Sequence, residues 1–141
     1  MQTTLEIRAG QWSTGSAYNA DGHRRKHLTH CAARAALRKL AGDLGLSQGD
    51  YDIRTNKGGM AVSGETTLHT DRLYVQIGGS FTSGGMRIMF RTCKGRRDYC
   101  GGSNHYAPLS ALADGSLLRA LRRLAPDGIP HEGNAAYRVA P

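Results

Sequence analysis

The segment Phe90-Arg91-Thr92-Cys93-Lys94-Gly95-Arg96-Arg97-Asp98-Tyr99-Cys100-Gly101-Gly102-Ser103-Asn104-His105-Tyr106 holds the densest mixture of chemically useful side chains in the chain. Arg91, Lys94, Arg96 and Arg97 supply positive charge, and the arginine fork matches phosphate oxygens. Gly95, Gly101 and Gly102 let a backbone turn sharply and bring its N–H groups close to an anion. Asn104 suits a base edge or a ribose, Tyr99 and Tyr106 offer flat faces for stacking, and His105 can donate or accept a proton. No Walker A pattern is present. The mixture points to an anionic ligand carrying a base or ring; a surface loop with charges for solubility is the plainer alternative.

A second set lies upstream. His23, His27, His30, Arg34 and Arg38 are spaced four, three, four and four apart, which places them on one face of a helix. Such a row can follow a phosphate backbone or close the far side of an anionic pocket, and Arg34 and Arg38 are the expected partners of the loop. The same face is also what any amphipathic helix presents to solvent. His23, His27, His30 and Cys31, with Cys93 and Cys100, raise zinc as a question, but no Cys-x-x-Cys or His-Glu-x-x-His pattern supports it. A metal-independent ribonuclease using His69, His105, Arg91 and Lys94 is the enzyme alternative. The loop offers only Asp98 as an acid, so neither a two-metal centre nor a cofactor is expected.

The elements that must position these residues follow from periodicity. Thr3 to Arg8 alternates as a first strand or strand end, and Gly10 to Gly22 reads as a loop. Asp21 is an N-cap for a helix reaching about Leu44, with Leu28, Ala32, Ala36, Leu40 and Leu44 as its apolar stripe and Gly45 or Gly42 as its stop. Strands are predicted at Tyr51–Thr55, Thr66–His69, Arg72–Gly78 and Met86–Cys93, with Met60–Ser63 as a further returning segment. Leu73, Val75 and Ile77 share one face, and Ile88 and Phe90 oppose Arg87, Met89 and Arg91. Ser83-Gly84-Gly85 marks a hairpin. Pro108 opens a short helical region, and Asp114 caps a helix burying Leu117, Leu118, Leu121 and Leu124. The expected fold is α+β: an antiparallel meander sheet packed by a long N-terminal helix and a short C-terminal helix. Residues 1–125 form one domain, and 126–141 form a C-terminal arm.

Composition bounds the rest. The chain has 141 residues, 19 of them glycine, so a modest core and help from homo-oligomerisation are expected. Its formal charge of +8 favours polyanions. No apolar run approaches the ~18 residues of a membrane span, and no signal-peptide pattern appears. Three cysteines, an odd set, fit a reduced cytoplasmic setting better than a disulfide framework.

The runs Tyr74-Val75-Gln76, Phe90 to Tyr99 and Gly101-Gly102-Ser103-Asn104-His105 resemble small accessory proteins of bacteriophages and plasmids over about Tyr51 to Leu112. In size and in being a non-catalytic α+β binder the chain is similar to the Thoeris anti-defence sponges, an analogy that transfers no site. It implies a bacterial host cytoplasm and a counter-defence protein that sequesters a small phosphorylated or cyclic nucleotide. Arg91, Lys94, Arg96 and Arg97 would hold phosphate, Asn104 would read base or ribose, and Tyr99 or Tyr106 would stack. The alternatives are a basic DNA- or RNA-binding accessory protein and an anti-CRISPR-type, protein-directed inhibitor.

Overall fold

The computed structural model describes residues 2–13, 20–58, 64–80, 85–98 and 101–126. The expectations for Met60–Ser63, the Ser83-Gly84 tip, Tyr99, Cys100 and the arm beyond Pro126 lie outside those residues.

Helix α1 (Thr4–Ser13) occupies the Thr3–Arg8 stretch predicted as a strand and runs into the predicted Gly10–Gly22 loop, whose last residues are helical as well; both expectations are corrected accordingly. Thr3 and Glu6 explain the outcome. The Thr3 N–H donates to Glu6 Oε1 at 3.2 Å and the Glu6 N–H to Thr3 Oγ1 at 3.2 Å, a reciprocal capping box. Leu5 and Ala9, four apart, are both buried on one face of the helix. Helix α2 (Ala20–Asp43) matches its expected span, except that it begins at Ala20, so Asp21 lies in its first turn, paired with Arg25, and not at the N-cap. It ends in a Schellman motif, with Leu46 N–H on Ala41 O, Gly45 N–H on Gly42 O, and Gly45 at φ +82°.

The sheet is an antiparallel meander in the order β1 (Asp52–Asn56), β2 (Glu65–His69), β3 (Leu73–Ser80), β4 (Gly85–Thr92), β5 (His105–Ala107). Ser80 pairs with Gly85, so β3 and β4 form the expected hairpin. Leu68, Leu73, Val75, Ile77, Ile88 and Phe90 point to the helices and form the core with Leu37, Leu40 and Ala41. A 3-10 turn (Leu109–Leu112) and helix α3 (Ser116–Leu124) complete it with Leu109, Ala111, Leu117 and Leu121. The N-cap of α3 is Gly115, at φ +81°, rather than the expected Asp114, which lies one residue earlier with its Oδ1 accepting the Ser116 N–H at 2.8 Å.

Two details differ from the periodicity. The buried face of α2 runs Lys26, Thr29, His30, Ala33, Leu37, Leu40 and Ala41, rotated from the Leu28–Ala32–Ala36 stripe. α2 packs on two partners, the sheet and α1, where Thr29 Oγ1 donates to Arg8 O at 3.1 Å, so its interior arc is wider than one stripe. The second is β5, which converts the end of the predicted loop into a sheet edge.

Candidate functional site

The segment after β4 folds back over the sheet face opposite the helices. Lys94 N–H donates to Asp98 Oδ2 at 2.9 Å and Asp98 N–H to Gly95 O at 3.1 Å, closing a tight turn. These two N–H groups serve the turn itself. Arg96 anchors the turn, its Nε on Asp71 Oδ1 at 3.3 Å and an Nη1 donating to Gly49 O at 2.8 Å. Lys94 and Arg97 are exposed.

Arg91 is only 4% exposed. Its guanidinium lies 4.4 Å from the Tyr74 ring centroid and its Nη1 donates to Gly101 O at 3.1 Å. The expectation that Arg91 holds a ligand phosphate is corrected: its strand position aims it beneath the loop, where it pins the loop to the sheet. Asn104, His105 and Tyr106 are likewise not one cluster. Alternation along β5 sends His105 to the helix side, stacked on Phe90 at 5.4 Å, and Tyr106 to the opposite face with Arg87 4.1 Å above its ring. Asn104 is exposed just before β5.

The basic stripe of α2 is also divided. His30 is 2% exposed, its Nδ1 2.8 Å from Thr66 Oγ1 on β2, so it belongs to the helix–sheet interface. His27 is exposed, 3.2 Å from Lys57 Nζ and 3.5 Å from Cys31 Sγ. Among the described residues no group of three metal-ligating side chains converges. Cys93, by contrast with exposed Cys31, points its thiol at Thr70 O, and burial pushes that thiol's pKa up.

Arg34 and Arg38 do meet a concave surface, though not the loop's. A groove of about 610 Å³ wraps the edge strand, lined by Arg34 and Arg38 from α2, Gln48 and Tyr51 from the connection, and Asp52, Ile53 and Arg54 from β1. Arg34 is positioned by one Nη1 donating to Thr55 Oγ1 at 3.1 Å and Ile53 O at 3.4 Å. Asp52 is the one acid in the lining, 3.7 Å from Arg54. Three arginines against one aspartate give the lining a positive balance. The Arg96–Gly49 bond sets the basic turn beside its rim. Arg54, Tyr51 and Gln48 were not singled out from sequence, because only the strand order reveals that β1 is an edge.

His69 is buried, 2.8 Å from Thr67 Oγ1 and edge-on to Tyr74. It shares the Tyr74–Arg91 face, whereas His105 is on the other, so these histidines do not flank one phosphate as a base–acid pair would. Burial, and then the Arg54 charge, push the His69 pKa below its ordinary 6.5. The unfolded chain therefore takes up a proton that the fold resists, and stability held above pH 6.5 falls as pH drops below it. Between pH 7 and 5 the thermal midpoint of wild type should fall more than that of His69→Gln. Equal slopes would remove His69 from the acid response.

Comparison with protein-family models, curated proteins and solved structures returns no match. Among the described residues no helix is long and apolar enough to cross a membrane.

Proposed function

We propose that the protein binds a phosphorylated nucleotide without transforming it, holding it in the groove between α2 and β1. The observation that carries this reading is that Arg34, Arg38 and Arg54 line one cavity with Tyr51, the cavity wrapping the edge strand from its helix side to its outer face. Guanidinium forks engage phosphate oxygens in pairs, and a half-buried tyrosine beside them offers a ring face to a base. The volume of about 610 Å³ suits one nucleotide unit, being inside the roughly 300–1,000 Å³ range of small-molecule sites. Sequestration of a nucleotide signal is the role this binding would serve, as the sponge analogy implies, and the exposed Lys94 and Arg97 extend the positive field beside the groove.

Calorimetric titration with mononucleotides, cyclic dinucleotides and ADP-ribose, supported by thermal shift, tests the reading. At least one should bind and raise the midpoint. Arg38→Ala should weaken that ligand about tenfold or more, as expected for a charge-assisted bond of about 1.5–3 kcal/mol, with the fold intact because Arg38 is exposed. Absence of binding by every nucleotide, or indifference to Arg38→Ala, would overturn it.

A further inference from the structure

The sheet face turned away from the helices carries an ordered line of side chains. Arg54 pairs with Thr67, Thr67 with Gln76, Gln76 with Met89, and Met89 with Tyr106, so the five residues form one transverse row across all five strands. Four inter-strand spacings of about 4.8 Å make the row roughly 19 Å long. It begins at Arg54, which also lines the groove. It ends at Tyr106, 53% exposed, one of the two large hydrophobic side chains exposed among the described residues, with the Arg87 guanidinium against its ring.

The neighbouring rows give this line its borders. On one side Asp52, His69, Tyr74 and Arg91 follow in register, and the last three are buried beneath the turn that presents Lys94 and Arg97. On the other, Asn56, Glu65, Gly78 and Arg87 follow, with Gly78 contributing no side chain. The acids Asp52 and Glu65 are engaged by Arg54 at 3.7 Å and Asn56 at 3.5 Å. Arginine and lysine therefore flank a shelf in which Thr67 is buried against His69, Gln76 and Met89 are half-buried and the Tyr106 ring is exposed. An isolated nucleotide in the groove has no use for that shelf.

We infer that the ligand of this groove is a single strand of nucleic acid, which leaves the groove at Arg54 and follows this row across the sheet to stack a base on Tyr106. This rests on the groove reading and extends it from one nucleotide to several. A single strand fits and a duplex does not, because a base must be unstacked to meet the Tyr106 ring. Positive charge follows the backbone at both ends, through Arg34, Arg38 and Arg54 at one and Arg87 at the other. Met89 and Gln76 between them offer contacts that tolerate any base.

Fluorescence anisotropy with labelled oligothymidylates of increasing length, a matched duplex and unlabelled thymidine monophosphate as competitor tests this. Affinity should climb from one to several nucleotides and then level off, with the single strand at least tenfold tighter than the duplex. Tyr106→Ala should weaken the longer strands about tenfold, in keeping with the roughly 1–3 kcal/mol of a base–aromatic stack, and leave the monophosphate unchanged, while Tyr106→Phe restores binding. Length-independent affinity, a duplex bound as well as the strand, or indifference to Tyr106→Ala would each overturn the inference. In those cases monophosphate binding lost in Arg38→Ala would leave the groove reading standing; loss of all nucleotide binding in wild type would remove both.

Discussion

Leu37→Ala should be among the most damaging single substitutions in the chain, lowering stability by about 3–4 kcal/mol in urea unfolding, inside the usual 2–5 kcal/mol for a buried leucine. Leu37 is fully buried on α2, in the core shared with Leu40, Leu68 and Val75. Truncation removes apolar contact and opens a cavity that a helix pinned to both α1 and the sheet cannot readily collapse. Against typical domain stabilities of about 5–15 kcal/mol the loss is large. It also reaches the site, since Arg34 and Arg38 flank Leu37 and the seating of α2 against β1 sets the width of the groove. Nucleotide binding by Leu37→Ala should therefore weaken before global unfolding. A change under 1 kcal/mol would mean that Leu37 does not anchor α2.

Gly101→Ala should cost about 2–3 kcal/mol, near the upper end of overpacking effects, while Gly95→Ala in the same loop should stay within about 0.5 kcal/mol. A methyl group on Gly101 would meet Asp98 Oδ2 at 2.6 Å, Cys93 Cα at 2.8 Å and Thr92 O at 2.8 Å; two of the three are backbone atoms that cannot step aside. At Gly95 nothing lies within 4 Å. The Gly101 carbonyl also receives the Arg91 guanidinium, so displacing it strands a buried cation. Urea midpoints for the pair, with amide exchange across residues 93–98, measure whether the loop is clamped to the sheet. Equal, small effects in both variants would show that it is not.

Much of the frame was legible from side-chain period. Alternation at Leu73, Val75 and Ile77 against Tyr74 and Gln76, and at Ile88 and Phe90 against Arg87, Met89 and Arg91, assigned both faces of the central hairpin correctly, because burial on one side enforces a period of two. The long helix and its Gly45 stop were equally readable. The signal of helix α1 is present in the sequence: Thr3 and Glu6 form a capping-box pair, which outweighs the weak alternation of Leu5 and Ile7 that favours a strand. β5 has three residues and no pattern of its own, and it exists because β4 offers an edge. His30 looked like part of a solvent row, since the identity of a residue does not reveal that Thr66 lies opposite to satisfy its ring nitrogen.

The sequence by itself determined the fold class, the two faces of the central strands and the positive balance of the chain, all properties of local spacing and composition. Tertiary structure alone decided where the cations lie. Arg91 and Arg96 hold a loop in place, while Arg34, Arg38 and Arg54, thinly spread in the chain, are gathered around one groove, Arg34 tied to β1 and Arg54 beside Asp52. The physical reason is that a guanidinium serves equally well as a structural donor or a ligand contact. Only the partners and the space that packing places beside it, a loop carbonyl or the wall of a groove, set its use.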